Sequence, residues 1–191
     1  MSSLRVDNIS ARTGTTITIP SGNSLYAPGH IIQVVNTYLT APFSQSLTSG
    51  WNVFNDIPGL SATITPRSVN SKIYITARWF GEFGYQAYAW GCIFGLKRNG
   101  SVIRSADAGG TLQVGIMNAY LGYYGNDADS TPEGTFFDCY DSPASTSAQT
   151  YQVYINTNNA MTLYTNRCVN SSTGSDYERG TSSVTLFEIA G

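Results

Sequence analysis

Residues 72–104 constrain the fold of this chain more strongly than any other stretch. From residue 72 to residue 79 every second side chain is apolar, namely those of Ile73, Ile75, Ala77 and Trp79. A period of two is typical of a β-strand with one buried face. A second strand is predicted at residues 91–97, and one of two alternating sets faces the core there: Cys92, Phe94 and Leu96, or Ile93 and Gly95.

A tight turn follows the second strand. Asn99-Gly100 separates two apolar segments, and Asn-Gly is the favoured pair in a type I′ turn, where both central residues take positive φ. We interpret the two strands as the centre of an antiparallel β-sandwich.

Shorter segments elsewhere carry the same signal. Strands are predicted at residues 30–38, 51–65, 135–140, 148–157, 160–166 and 183–189, with a less regular one at 112–124. Pro58-Gly59 indicates a bulge or bend, and residues 41–50 are expected to be a polar connection. No segment has helical periodicity, and this spacing of strands is typical of a sandwich or jelly roll. The expected fold is all-β, an antiparallel, jelly-roll-like β-sandwich.

The composition excludes several classes of partner. Charged residues make up 12% of the 191 residues, against ~25% in typical soluble domains. The net charge of −2 and the lack of a basic cluster predict no nucleic-acid partner. No apolar run is long enough for a membrane span and no signal peptide is apparent, so we expect synthesis in a cytoplasm without membrane insertion. Three widely spaced cysteines (Cys92, Cys139 and Cys168) favour buried free thiols over disulfides or a zinc site.

Residues 1–29 differ from the rest and are assigned to an N-terminal stem, with residues 30–191 as the head domain. The stem has two short strand-like pieces around Gly14, and its apolar residues are Leu4, Val6, Ile9, Ile17 and Ile19. A two-stranded ribbon of this size is marginal alone. Its apolar edge must pack on its own head or on copies of itself in other chains; the alternative is a terminus without fixed structure.

A series of motifs resembles a group of bacteriophage tail-fibre and related virion proteins. They are LRVDNI at 4–9, TTITIPSG at 15–22, APGHIIQVV at 27–35, IPGL at 57–60, TITP at 63–66, SKI at 71–73, LKR at 96–98, DSPA at 141–144 and SVTLFEI at 183–189. Each is a turn or strand signature, so their order and spacing over nearly the whole chain carry the resemblance.

The resemblance implies a homotrimer in the virion tail, made in the host cytoplasm. Three chains would wind about one axis through the five apolar residues of the stem. The stem would attach to other tail or baseplate proteins, and the β head would face the host. The resemblance transfers no catalytic or ligand-binding residue.

Little in the sequence indicates an enzyme. His30 is the only histidine, no nucleophile elbow or phosphate-binding loop is present, and the loop carboxylates cannot be paired from sequence. We expect no catalytic residues and no cofactor. Asp127, Asp129 and Glu133 are a weak candidate for a calcium site, but the glycine and flanking helices of the calcium loop are missing. A polar loop without a metal is the expected structure.

Aromatic residues in three Gly- and Asn-rich segments are the better candidates for binding. Sugar rings present C–H faces that stack on aromatic rings and hydroxyls that need planar polar partners. The candidate glycan-binding residues are Tyr85 and Tyr88, Tyr123 and Tyr124, and Asp176, Tyr177 and Arg179. The alternative is that these aromatics pack in the core or between chains. Trp79, Trp90 and Phe94 are expected to pack in one of these two places, the core or a contact between chains.

The predicted function is adhesion without chemistry, in which a trimeric head binds a host-surface polysaccharide. A rival is a purely architectural protein of the baseplate or capsid surface with no ligand. A further alternative is a tail enzyme that cleaves polysaccharide.

Overall fold

The computed structural model describes residues 9–21, 27–84, 90–107, 109–119, 130–170, 174 and 177–191. These residues form ten strands: β1 Ile31–Leu39, β2 Phe43–Leu47, β3 Phe54–Ile64, β4 Lys72–Phe83, β5 Cys92–Arg98, β6 Ser101–Ile103, β7 Glu133–Asp141, β8 Gln149–Thr157, β9 Met161–Thr165 and β10 Ser182–Ile189. No described segment is a helix with the length and hydropathy that a bilayer crossing needs. The expected all-β fold is confirmed.

The strands form two antiparallel sheets. The six-stranded sheet has the order β1-β10-β4-β9-β2, and β7 pairs with the other edge of β4. The four-stranded sheet has the order β3-β8-β5-β6. One edge of β4 pairs first with β10, over Lys72–Arg78, and then with β9, over Gly81–Phe83. β4 therefore runs the length of the sheet, about 36 Å at the usual rise per residue.

The core lies between the sheets, which gives a β-sandwich-like arrangement. Ile73, Ile75, Ala77 and Trp79 of β4 are buried, as the alternation predicts. In β5 the buried set is Cys92, Phe94 and Leu96. The Trp79 and Phe94 rings meet with centroids 5.0 Å apart. β4 and β5, the two strands predicted within residues 72–104, thus lie in different sheets and face each other.

The two turn predictions are also confirmed. Asn99 (φ 49°) and Gly100 (φ 84°) connect β5 to β6 with the positive φ values of a type I′ turn. In β3 the pairing with β8 shifts register between Asp56 and Ser61, and Gly59 has φ 75°. Pro58-Gly59 therefore marks a β-bulge.

Two segment predictions are wrong. Residues 41–50 contain β2, an edge strand that pairs only with β9 among the described strands; only Phe43 and Leu47 are apolar in it, so its alternation is too short to recognise. Residues 112–119 form no strand beyond an isolated bridge between Phe94 and Met117. A Cβ at Gly115 would clash with the Phe94 carbonyl, so the chain crosses β5 at close range there. Residues 120–124 lie outside the described residues.

The N-terminal segment enters at one end of the sandwich. Gly29 N donates to Ala190 O (2.7 Å) and Ala190 N donates to His30 O (2.9 Å), beside the start of β4. We call this the entry end, and the end at Phe83 the distal end. Residues 9–21 form no strand in the single chain, and Ile9, Ile17 and Ile19 are exposed. Leu4 and Val6 lie outside the described residues.

Asn166 joins the strands where β4 changes partner. Its Nδ2 donates to Leu39 O (2.7 Å) and Ala41 O (3.1 Å), between β1 and β2. Its backbone N donates to Phe80 O of β4 (2.9 Å), and its Oδ1 accepts from Ser182 Oγ at the start of β10 (2.8 Å). Asn166 is buried with φ 62°, a conformation that Asn tolerates better than most residues.

We predict that Asn166→Ala lowers the free energy of unfolding by about 3 kcal/mol, because it removes buried hydrogen bonds and keeps a positive φ. Glycine adopts a positive φ without strain, so Asn166→Gly should lower the free energy of unfolding by about 1 kcal/mol less than Asn166→Ala does. Asn52→Ala, at an exposed asparagine, is the control and should change stability by less than about 0.5 kcal/mol. Urea unfolding measures all three. Equal stability of Asn166→Ala and Asn52→Ala would contradict the role of this junction.

Candidate functional site

Buried Glu82, near the distal end of β4, connects described residues that flank three segments outside the described part of the chain. Its Oε1 accepts from Thr131 N (3.2 Å) and Thr131 Oγ1 (2.9 Å), just after residues 120–129. Its Oε2 accepts from Val169 N (2.6 Å), just before residues 171–173. Glu82 itself precedes residues 85–89. The three aromatic segments selected from the sequence therefore have their described flanks at the distal end.

Two further glutamates also connect the residues that flank these segments. Glu133 Oε2 accepts from Phe83 N (3.3 Å), which ties β7 to the end of β4. Glu178 Oε2 accepts from Ser130 Oγ (2.8 Å) and Cys168 Sγ (3.3 Å). These two hydrogen bonds, the one from Ser130 foremost, lower the pKa of Glu178. The Glu178 carboxylate thus stays ionised and links Ser130, after residues 120–129, to Cys168, before residues 171–173.

Only two of the seven candidate glycan-binding residues are described. Tyr177 is half-buried, and its hydroxyl accepts from Asn170 Nδ2 (3.0 Å). Arg179 is exposed. The other five (Tyr85, Tyr88, Tyr123, Tyr124 and Asp176) lie outside the described residues.

Trp79 and Phe94 are buried in the core, whereas Trp90 is exposed in the single chain, so packing between chains is the only one of its two predicted positions that stays a prediction. Trp90 is 70% exposed. β5 begins only at Cys92, and a Cβ at Gly91 would clash with the Asn158 side chain. The chain therefore bends at Gly91, and the alternation of β5 does not extend to Trp90.

The Trp90 ring borders a groove of about 390 Å³ at the distal end. The groove is lined by Trp90, Gly91, Cys92, Ile93, Gln113, Ile116, Met117 and Asn118. Its features are an exposed indole, an exposed thioether at Met117 and two side-chain amides, those of Gln113 and Asn118. An aromatic face beside planar donors and acceptors is the chemistry expected of a sugar site. Asn118 belongs to one of the aromatic segments selected from the sequence, whereas Gln113 is missed because residues 112–124 are predicted to be a strand.

The far wall of this groove is fixed by β8. Asn156 Oδ1 accepts from Val114 N (3.2 Å), and Tyr154 OH donates to Val114 O (3.0 Å). Burial raises the pKa of Tyr154 to about 12, so its hydroxyl remains a donor at neutral pH. On the other side of the groove, Asn118 O accepts from Thr135 Oγ1 of β7 (3.0 Å). Residues 112–119 are thus held at both ends.

All three cysteines are free; Cys92 and Cys168 are buried and Cys139 is half-buried. Burial is the main cause that raises the pKa of each thiol to about 11. The thiols are therefore protonated at neutral pH and are poor nucleophiles or metal ligands.

The weak metal candidate is only partly described. Glu133 is buried at the start of β7, and Asp127 and Asp129 lie outside the described residues. Among the residues with described positions, no three His, Cys, Asp or Glu side chains form a group that could hold a metal ion.

An all-β head with a loop-bearing end and a shallow aromatic groove is the class of architecture that the fold and the site define. Comparison of the chain with protein-family models and with curated proteins gives no match.

We predict that Glu82→Gln weakens the attachment of Thr131 and Val169 to β4. An amide NH₂ would replace one acceptor oxygen and face a backbone N–H of Thr131 or Val169, at a cost of about 1–3 kcal/mol. Amide hydrogen exchange at residues 131 and 169 should become faster. Glu188→Gln is the matched control: Glu188 is also buried and accepts from a backbone N–H, that of Arg67 (2.6 Å), but lies at the entry end. Faster exchange at residues 131 and 169 in both variants would refute a local role for Glu82.

We predict that stability falls at alkaline pH. The unfolded thiols ionise near pH 9.0, but the folded ones near pH 11. Since the protonated thiol is favoured in the folded state, its stabilising contribution is complete below pH 9 and is lost as the pH rises towards 11. Urea unfolding at a series of pH values should show this decline, and Cys92→Ala should make it shallower. An unchanged decline in Cys92→Ala would contradict the assignment to this thiol.

Proposed function

We propose that this chain is a virion structural protein, a subunit of a phage tail fibre or appendage, whose jelly-roll-like heads form a homotrimer and bind a host-surface glycan. The Trp90 groove at the distal end is the observation that carries this proposal. The virion assignment rests on the resemblance of the sequence motifs, and the binding role rests on the groove.

The groove suits a sugar better than an apolar ligand. A pyranose could stack its C–H face on the exposed indole of Trp90, while the Gln113 and Asn118 amides exchange hydrogen bonds with its hydroxyls. Among the described residues that line the groove there is no Lys, Arg, Asp or Glu, which favours a neutral sugar over a charged one. The shallow shape favours weak affinity at each site.

The position of the groove supports an adhesive role. The chain enters at Gly29-His30, beside the first residue of β4, whereas the groove and Glu82 lie near its last residue. A stem at the entry end would therefore hold the groove away from the virion. Three grooves on one axis would convert weak affinity into avidity without further contacts.

A second candidate is the purely architectural role, in which the head only packs against other virion proteins. The exposed aromatic residues on the six-stranded sheet, among them Tyr38, Phe136 and Tyr140, favour it. Both roles are compatible with the same trimer, so glycan binding has to be measured directly.

We predict that the full-length chain is retained on a glycan array and that Trp90→Ala weakens retention about tenfold or more. Loss of one stacked ring costs about 1–2 kcal/mol per site, and multivalency amplifies the loss. Trp51→Ala is the matched control, because Trp51 is also exposed (45%) at the distal end but does not line the groove.

Retention that is lost equally in both tryptophan variants would contradict the Trp90 site. A correctly folded oligomer that is retained on no glycan of the host envelope would favour the architectural role.

A further inference from the structure

The outward side of the six-stranded sheet combines polar side chains with several exposed large apolar ones, more than a solvated sheet face needs. We call the outward side chains of β7, β4, β10 and β1 the outer face. Val34 (54%), Tyr38 (66%), Phe136 (62%) and Tyr140 (54%) are exposed on it. Contiguous exposed apolar surface of this kind marks an interaction site more often than chance exposure does.

Strand register arranges these residues in continuous rows. One row is Val34, Phe187, Tyr74 and Tyr140, which are consecutive partners across four strands. The Tyr74 ring lies 4.8 Å from that of Tyr140 and 5.9 Å from that of Phe187. A second row is Tyr38, Ser183, Arg78 and Phe136. Between the two lies a polar row of Asn36, Thr185, Thr76 and Asp138.

β1 is also an edge strand of this sheet among the described strands. β1 pairs with β10 alone among the described strands. Its nine residues, IIQVVNTYL, contain no charge, proline or glycine. A long, uncharged apolar edge strand promotes aggregation unless something covers it, and natural proteins normally block such edges with charges or proline.

We propose that the outer face and the β1 edge pack against a second copy of this head within one oligomer. The stem leads directly into β1 at Gly29-His30, so self-association of the stem would bring β1 of neighbouring copies together. Ile17 and Ile19, which precede this entry point in the sequence, are exposed in the single chain. This inference rests on the proposed self-association and not on glycan binding.

The charges of the outer face fit another copy of the same head. The outer face carries charges of both signs, with Lys72 and Arg78 on β4 and Asp138 on the neighbouring β7. A copy of the chain can therefore place a cation of one head opposite Asp138 of the other. A partner selected by charge would instead require a face of predominantly one sign.

The test uses the full chain with Ile17→Lys and Ile19→Lys, which weaken association through the stem, as the background. Val34→Lys is added to place a charge on the outer face. Val69→Lys is the matched control, because Val69 is equally exposed (55%) but lies between β3 and β4, outside the outer face. Phe136→Lys, on β7, is a second outer-face variant in case Val34→Lys does not fold. Sedimentation equilibrium over a concentration series gives the mass.

We expect the background variant to remain an oligomer. Val34→Lys or Phe136→Lys should raise the concentration at which that oligomer is half dissociated about tenfold or more, and Val69→Lys should leave this concentration unchanged. A background variant that is monomeric at every concentration would overturn the proposal. So would outer-face variants that behave like Val69→Lys, the result expected if a different virion protein covers the face. Absence of glycan binding would leave these masses unchanged, so the two proposals fail separately.

Discussion

The exchange of partners along one edge of β4 is the constraint on which the rest of the structure depends. A single strand pairs with β10 and then with β9, so the six-stranded sheet has a gap in its ladder where one partner ends and the other begins. Asn166 fills that gap with its side chain and backbone, and Ser182 Oγ, which accepts from Phe80 N (3.1 Å), completes the pairing. Without these groups, peptide groups of β1 and β4 and the Ala41 carbonyl would lose these partners.

The same continuity of β4 links the entry end to the site. Because β4 is not interrupted at the exchange point, Glu82 is held rigidly just beyond it. Thr131 and Val169 are attached to Glu82 by hydrogen bonds. The groove is built on the facing sheet, from the bend before β5 and from residues 112–119 held by β8. Trp79, Phe83 and Phe94 pack together between the sheets, so the core fixes the two halves of the distal end relative to each other.

Local patterns predicted the fold well because β-strands and tight turns leave short-range signals. The alternation at residues 72–79, the Asn99-Gly100 turn and the Pro58-Gly59 bulge each follow from the residues themselves. The site was harder to predict, since its determinants are long-range: Glu82 contacts residues 49 and 87 positions away. The exposure of Trp90 in the single chain was hard to predict, because its position fits the alternation of a strand that begins two residues later. Nothing local indicates that Asn166 joins β1, the β1–β2 connection, β4 and β10.

Several of the few charged residues of the chain are carboxylates buried in the interior. Of the 12 acidic residues, at least four are buried: Glu82, Glu133, Asp141 and Glu188. They accept internal hydrogen bonds, as when Asp141 Oδ2 accepts from Tyr151 OH (2.8 Å) and pairs with Arg98 (2.6 Å). The surface therefore keeps fewer charges than even the composition suggests, and β1 carries none. Charges at the surface maintain solubility and keep chains apart, and carboxylates that are buried as internal hydrogen-bond acceptors do not contribute to that effect.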